Sequence, residues 1–179
     1  MRDEVYSDMK IAMTEEPVNL KQEEVVEAPP VENVKKEENN TNYVVDYSKY
    51  LGVLEIPKIG LKRGFYGVDS RYNSIQYNVA VVKGSTMPDV ENGNLILIAH
   101  SGDAYISYFA YLWRLGVGDN VFVTYNGVQY HYQIVNIYNV QKSGVAVIHR
   151  NVERTSLTLI TCTKDNDHSQ TIYIAERVG

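Results

Sequence analysis

The chain has 179 residues and a single cysteine, Cys162. One thiol forms no internal disulfide and cannot by itself build a zinc site. His100, His131, His149 and His168 include no pair three or four residues apart, as metal ligands commonly are. The sequence therefore implies no metal and no cofactor. A basic excess is missing as well. The formal net charge is −5, and it is local: residues 1–42 carry 11 acidic against 5 basic side chains, leaving 11 against 12 in the remainder. Nucleic acid, which calls for a basic stripe, has no electrostatic foothold here. Long apolar runs are also absent. None approaches the ~20 residues of a membrane span, and the first residues lack the basic and apolar regions of a secretory signal. The chain as given reads as soluble, with any membrane anchor lying outside it.

Aromatic residues are missing from "EEPVNLKQEEVVEAPPVENVKKEENNTN", the second part of residues 1–42. This Glu-, Lys-, Asn- and Pro-rich stretch has no sustained apolar period and cannot offset the entropy of ordering. Residues 1–42 are expected to form a disordered acidic tail, and residues 43–179 one folded domain.

From Tyr43 onward the texture changes. Short runs of β character recur between turn signals: "YLGVLEIPKIGL", "NVAVVKG", "GNLILIAHSG", "DNVFVTYNGVQYHYQIVNIYNV", "TSLTLITCT" and "QTIYIAERV". Such spacing predicts a mainly β barrel or sandwich. Asn126-Gly127, between two of these runs, is the strongest hairpin signal. One segment breaks the pattern. "AYISYFAYLWRLGVGD" carries Ile106, Phe109, Leu112 and Trp113 near helical spacing, with Gly116 as a stop, and predicts one short helix packed on the barrel.

Cys162 closes a β-branched run and is either a buried small hydrophobe or a reactive thiol. A thiol needs a neighbouring base or imidazolium to become a good nucleophile near neutral pH. His100 supplies a candidate, because it too closes an apolar strand, Leu95–Ala99, and runs directly into the Ser101-Gly102 turn.

At these residues the sequence resembles the sortases, the surface transpeptidases of mainly Gram-positive bacteria. "TLITC" (Thr158–Cys162) is similar to their Thr-Leu-X-Thr-Cys motif and "LILIAHSG" to their histidine-bearing strand, with the histidine some sixty residues before the cysteine. "LGVLEIPKIGL" resembles the opening strand, and "FAYLWRLGVGDNVFV" a helix followed by a Gly-Asp turn. The likeness covers about residues 50–177. It implies an eight-stranded sortase-type β-barrel with one or two short helices, acting at the cell surface. It further implies a Cys162 nucleophile that attacks an LPXTG-like sorting signal, and a His100 that protonates the leaving amine and later deprotonates the incoming one. Thr161 would lie close to the reacting carbonyl. The partners implied are the sorting-signal peptide of a surface protein and an amine acceptor, either a cell-wall peptide (peptidoglycan precursor) or a pilin lysine. A hydrolytic peptidase or a weakly catalytic peptide-binding module of the same fold are the alternatives.

The sequence departs from the family at the third catalytic position. Sortases usually carry an arginine at the start of the strand after the cysteine, where this chain has Gln170. A glutamine amide can donate to a developing oxyanion but brings no charge. Arg177 lies too far along the same strand, and Arg150 and Arg154 are the remaining candidates. Asp89 and Glu91, where some sortases bind calcium, lack a third carboxylate. Asp165, Asp167 and His168 read as solvated turn residues beside the cleft, and His131 as a satisfied barrel residue. The short span between Val140 and Leu157 leaves little room for the long helix that some sortase classes insert there.

Overall fold

The computed structural model describes residues 45–179 and the strand Lys10–Thr14. Among the described residues there are ten strands: β1 (Lys10–Thr14), β2 (Gly52–Ile56), β3 (Leu61–Phe65), β4 (Ala80–Val81), β5 (Asn94–Ile98), β6 (Asn120–Tyr125), β7 (Val128–Gln141), β8 (Val145–His149), β9 (Ser156–Thr163) and β10 (Asn166–Arg177). Eight of them form one sheet in the order β3-β2-β6-β7-β10-β9-β5-β4. Its pairs are antiparallel except β5–β9, which is parallel. The sheet rolls into a nearly closed barrel. Asn78, just before β4, bridges the remaining seam: its carbonyl accepts from Arg63 Nε at 2.6 Å and its amide donates to Gly64 O at 2.7 Å.

The Asn-Gly signal is a two-residue hairpin between β6 and β7, with Tyr125 opposite Val128. Asn126 (φ 49°) and Gly127 (φ 75°) both adopt the left-handed conformation that suits the twist of the flanking strands.

Strand alternation divides the apolar residues between two faces. Leu95, Leu97 and Ala99 of the β5 segment, Leu157 and Leu159 of β9, and Tyr173 and Ala175 of β10 join Leu54, Val121, Tyr132 and Phe109 inside the barrel. The intervening residues Ile96, Ile98, Ile160, Ile172 and Ile174 form a second cluster on the outer face. That face would be exposed were it not covered by β8, whose Ala146 and Ile148 are fully buried in it. The Tyr138 hydroxyl fastens β8 to β7, donating to Val147 O and accepting from His149 N, both at 2.8 Å. β8 in turn pairs in parallel with β1, Lys10 against Val145 through Thr14 against His149.

Two expectations meet the structure here. The helix expected within "AYISYFAYLWRLGVGD" is a succession of turns with a single 3₁₀ turn at Leu112–Arg114. Phe109 and Leu112 are buried in the barrel as their spacing suggested, but Phe109 N–H donates to His100 O at 2.9 Å, tying the segment to the end of β5 before an α-helical ladder can form. Of the tail over residues 1–42, all but Lys10–Thr14 lies outside the described residues. Those five residues form a strand, for which the edge of β8 supplies the backbone partners that a run this short lacks locally.

Candidate active site

The outer face that β8 covers also carries the sole thiol. Cys162 is the last-but-one residue of β9, partly exposed, and packed against the outer cluster. β5 and β9 run parallel with Ile98 beside Ile160, so two residues further on His100 comes level with Cys162, on the face of Ile96 and Ile98. Past the last ladder pair the two chains are held together by three more bonds. Ala99 N donates to Ile160 O at 3.3 Å, Thr161 Oγ1 to Ala99 O at 2.8 Å, and Ser101 Oγ to Cys162 O at 2.9 Å. The imidazole-bearing and thiol-bearing segments are thus fixed in register by the residues flanking each. Thr161 is buried and points to the interior side, so its hydroxyl serves this cross-link.

The strand after the cysteine reaches the site through an irregularity. The β9–β10 hairpin turns at Lys164-Asp165, with Thr163 opposite Asn166. Continued without interruption, that register would set the Asp167 carboxylate opposite the thiol. Instead the chain bulges over Asp167, His168 and Ser169, and Gln170 pairs with Cys162. A neutral amide therefore stands where a carboxylate would have opposed the thiol. Gln170 is only 1 % exposed, not the surface strand residue it could have been, and its Nε2 has no hydrogen-bond partner among the described residues. Directly opposed antiparallel residues have Cβ atoms about 4.5–5.5 Å apart, so the two residues are cross-strand neighbours. An unpaired buried donor beside a thiol is the kind of group that a developing oxyanion can satisfy.

The arginines considered as substitutes do not converge on the thiol. Arg150 is buried, and its guanidinium donates to the carbonyls of Asn92, Asn151 and Arg154, while burial lowers its basicity. Arg154 reaches Arg177 O and Glu176. Arg177 stacks on Tyr130. These residues gather at the Ser156 end of β9, and from Ser156 to Cys162 is about 20 Å of strand.

A cation does reach the thiol, from a residue that the sequence reading missed. Lys142 follows the end of β7, and its Nζ lies 3.7 Å from Cys162 Sγ. Its backbone N–H donates to His168 O, within the bulge, at 2.9 Å. No local motif marks it, because β7 and β9 are separated by β10 and meet only through the sheet order.

The other candidates take ordinary places. His131 Nε2 lies 2.7 Å from Asn120 Oδ1 and its ring stacks on Phe122. Asp165, Asp167 and His168 are exposed on the hairpin. Among the described residues no three His, Cys, Asp or Glu side chains are grouped as metal ligands, and no helix is long and apolar enough to cross a membrane.

A thiol, an imidazole and hydrogen-bond donors at the end of a parallel strand pair, on the outside of an eight-stranded barrel, are the components of a covalent acyl-transfer site. Residues 54–178 match the sortase domain family, and the chain belongs to that family, whose members are generally cysteine transpeptidases associated with the cell surface. Three solved structures show the likeness across different sortase types. Streptococcus agalactiae sortase C1, determined with MTSET, is 24 % identical with a TM-score of 0.61, over 72 % of this chain and 69 % of that one. Sortase A from Corynebacterium diphtheriae is 23 % identical with a TM-score of 0.61, over 73 % of this chain and 61 % of that one. The Clostridium perfringens sortase D5 transpeptidase is 25 % identical with a TM-score of 0.61, over 73 % of this chain and 79 % of that one. None of the curated proteins matches the chain.

Proposed function

We propose that this protein is a cysteine transpeptidase that cleaves an LPXTG-like sorting signal and transfers the acyl part to an amine at the cell surface. The observation that supports it most directly is the parallel β5–β9 register, extended by the Ser101–Cys162 bond, which brings His100 level with the only thiol. In this reading Cys162 Sγ attacks the carbonyl of the scissile Thr-Gly bond. The carbonyl electrons move onto oxygen, beside the Gln170 amide. Collapse of the tetrahedral species expels the glycine amine, which takes a proton from His100, and leaves a thioester. The acceptor amine, a cell-wall peptide or a pilin lysine, then attacks the thioester, gives its proton to His100 and releases Cys162.

Mass spectrometry of the protein incubated with sorting-signal peptides, with and without several amines, tests this. The expected result is an acyl adduct on Cys162 that an amine discharges into a new peptide bond. It should be absent from Cys162→Ala and formed at least ~10²-fold more slowly by His100→Ala, as loss of a general acid–base implies. Release of free acid at a rate indifferent to the amine would make the protein a hydrolase. Peptide cleavage surviving in Cys162→Ala would overturn the chemistry.

A further inference from the structure

Gln170 leaves a chemical deficit in the site just described. The family resemblance calls for a guanidinium there, one group providing both donors to an oxyanion and positive charge beside a thiolate. The amide can replace the first function and not the second. Charge must then come from elsewhere or be absent, and among the described residues Lys142 offers a source. Lys142 continues the alternation of Tyr138 and Val140, which face the outer cluster with Cys162, and its ammonium is 3.7 Å from Sγ.

We propose that Lys142 supplies the positive charge for the Cys162 thiolate, so that the two functions of the usual arginine are split between Gln170 on β10 and Lys142 on β7. The bulge over Asp167–Ser169 makes the division possible. It takes Asp167 out of the register position opposite Cys162, brings Gln170 there, and presents the His168 carbonyl that holds the Lys142 backbone. Other charged groups lie near the thiol among the described residues. Lys164 sits with its Nζ 3.9 Å from the Trp113 ring centroid and 3.9 Å from Asp165 Oδ2. Asp167 and His168 lie exposed on the bulge, and His100 approaches from β5. A lysine differs from arginine in being a point charge on a flexible stem, suited to stabilising a sulfur anion without a fixed fork of donors. Lys142 therefore acts electrostatically, contacting the reacting sulfur itself.

The proposal rests on Cys162 being the nucleophile, and its test is separable from turnover. Iodoacetamide alkylation of Cys162 in the full chain reads thiolate availability without any sorting peptide. At pH 7, Lys142→Met should slow alkylation about tenfold, because a unit charge about 4 Å away across a partly solvated gap favours the thiolate by roughly that factor. Lys142→Arg should stay within about twofold of the wild type. At pH 9.5, where an ordinary thiol is largely ionised with or without help, the Met variant and the wild type should converge. A Met variant as fast as the wild type at pH 7 would overturn the assignment, as would an equal slowing of the Met and Arg variants, which would indicate packing in place of charge. Transpeptidation measured in parallel keeps the two readings apart. Charge-dependent alkylation without peptide cleavage would refute the proposed function and leave Lys142 in its role. Cleavage with Lys142 silent would do the reverse.

Discussion

In the proposed reaction the buried amide of Gln170 makes opposite demands on stability and catalysis, and one substitution separates them. Gln170→Leu keeps nearly the same volume and places an aliphatic group in a cluster already containing Ile160, Ile172 and Val140. In the wild type the Nε2 is buried without a partner among the described residues, and such a donor costs about 1–3 kcal/mol in lost hydration. Removing it should stabilise the fold by roughly 1–2 kcal/mol, since the leucine recovers the desolvation penalty and adds apolar contact. With an unfolding entropy of about 2.1 cal/mol/K per residue over the ~135 residues of the domain, that corresponds to a rise in Tm of about 4–7 °C. The same change should lower the single-turnover acylation rate by ~10²–10³, the usual cost of one oxyanion donor. Differential scanning calorimetry and quenched-flow acylation on the same preparations give both numbers. A fall in Tm would mean that the amide is satisfied in the native state and holds the sheet together. Unchanged acylation would remove Gln170 from the oxyanion site whatever happened to Tm.

Two further expectations follow from the fold. Burial raises the phenols of Tyr132 and Tyr138 from an ordinary 10 to about 12, so folding favours their neutral form. Their contribution is full below pH 10 and is lost as pH rises through 12, and denaturation midpoints measured from pH 9 to 12 should fall across that window; a flat profile would contradict the assigned burial. A chain beginning at residue 43 lacks β1, while β8 keeps its own anchors at Ala146, Ile148 and the Tyr138 hydroxyl. Its Tm should change by no more than about 2 °C, because the strand removed is short and peripheral. The freed edge of β8, on the face that carries Cys162, should accept an extended peptide more readily, lowering KM with kcat unchanged; an unaltered KM would show that β1 and the peptide use different edges.

What the sequence made legible, and what it hid, divides by how locally each feature is encoded. The Asn126-Gly127 hairpin, the alternating strands and the thiol at the end of "TLITC" are written in neighbouring residues, and each has its counterpart in the barrel. Pairing His100 with Cys162 needed one non-local step, supplied by two apolar strands that both end in reactive side chains and that turn out to be parallel neighbours. The segment around Phe109 forms turns in place of the expected helix, because helical spacing of buried residues also arises when successive turns dip into a core. Lys142 lay beyond reach for a different reason. In "VQKSG" it reads as a solvated lysine at a turn, and only the order β7-β10-β9 with the three-residue bulge carries its ammonium to the sulfur. The bulge is equally silent, since nothing in "TKDNDHSQ" says that the register slips after Asn166. Yet that slip decides whether the thiol faces a carboxylate or an amide. The surroundings of the thiol are thus set by strand register, a property of the whole sheet, while the thiol and the imidazole themselves stand at strand ends that the chain spells out directly.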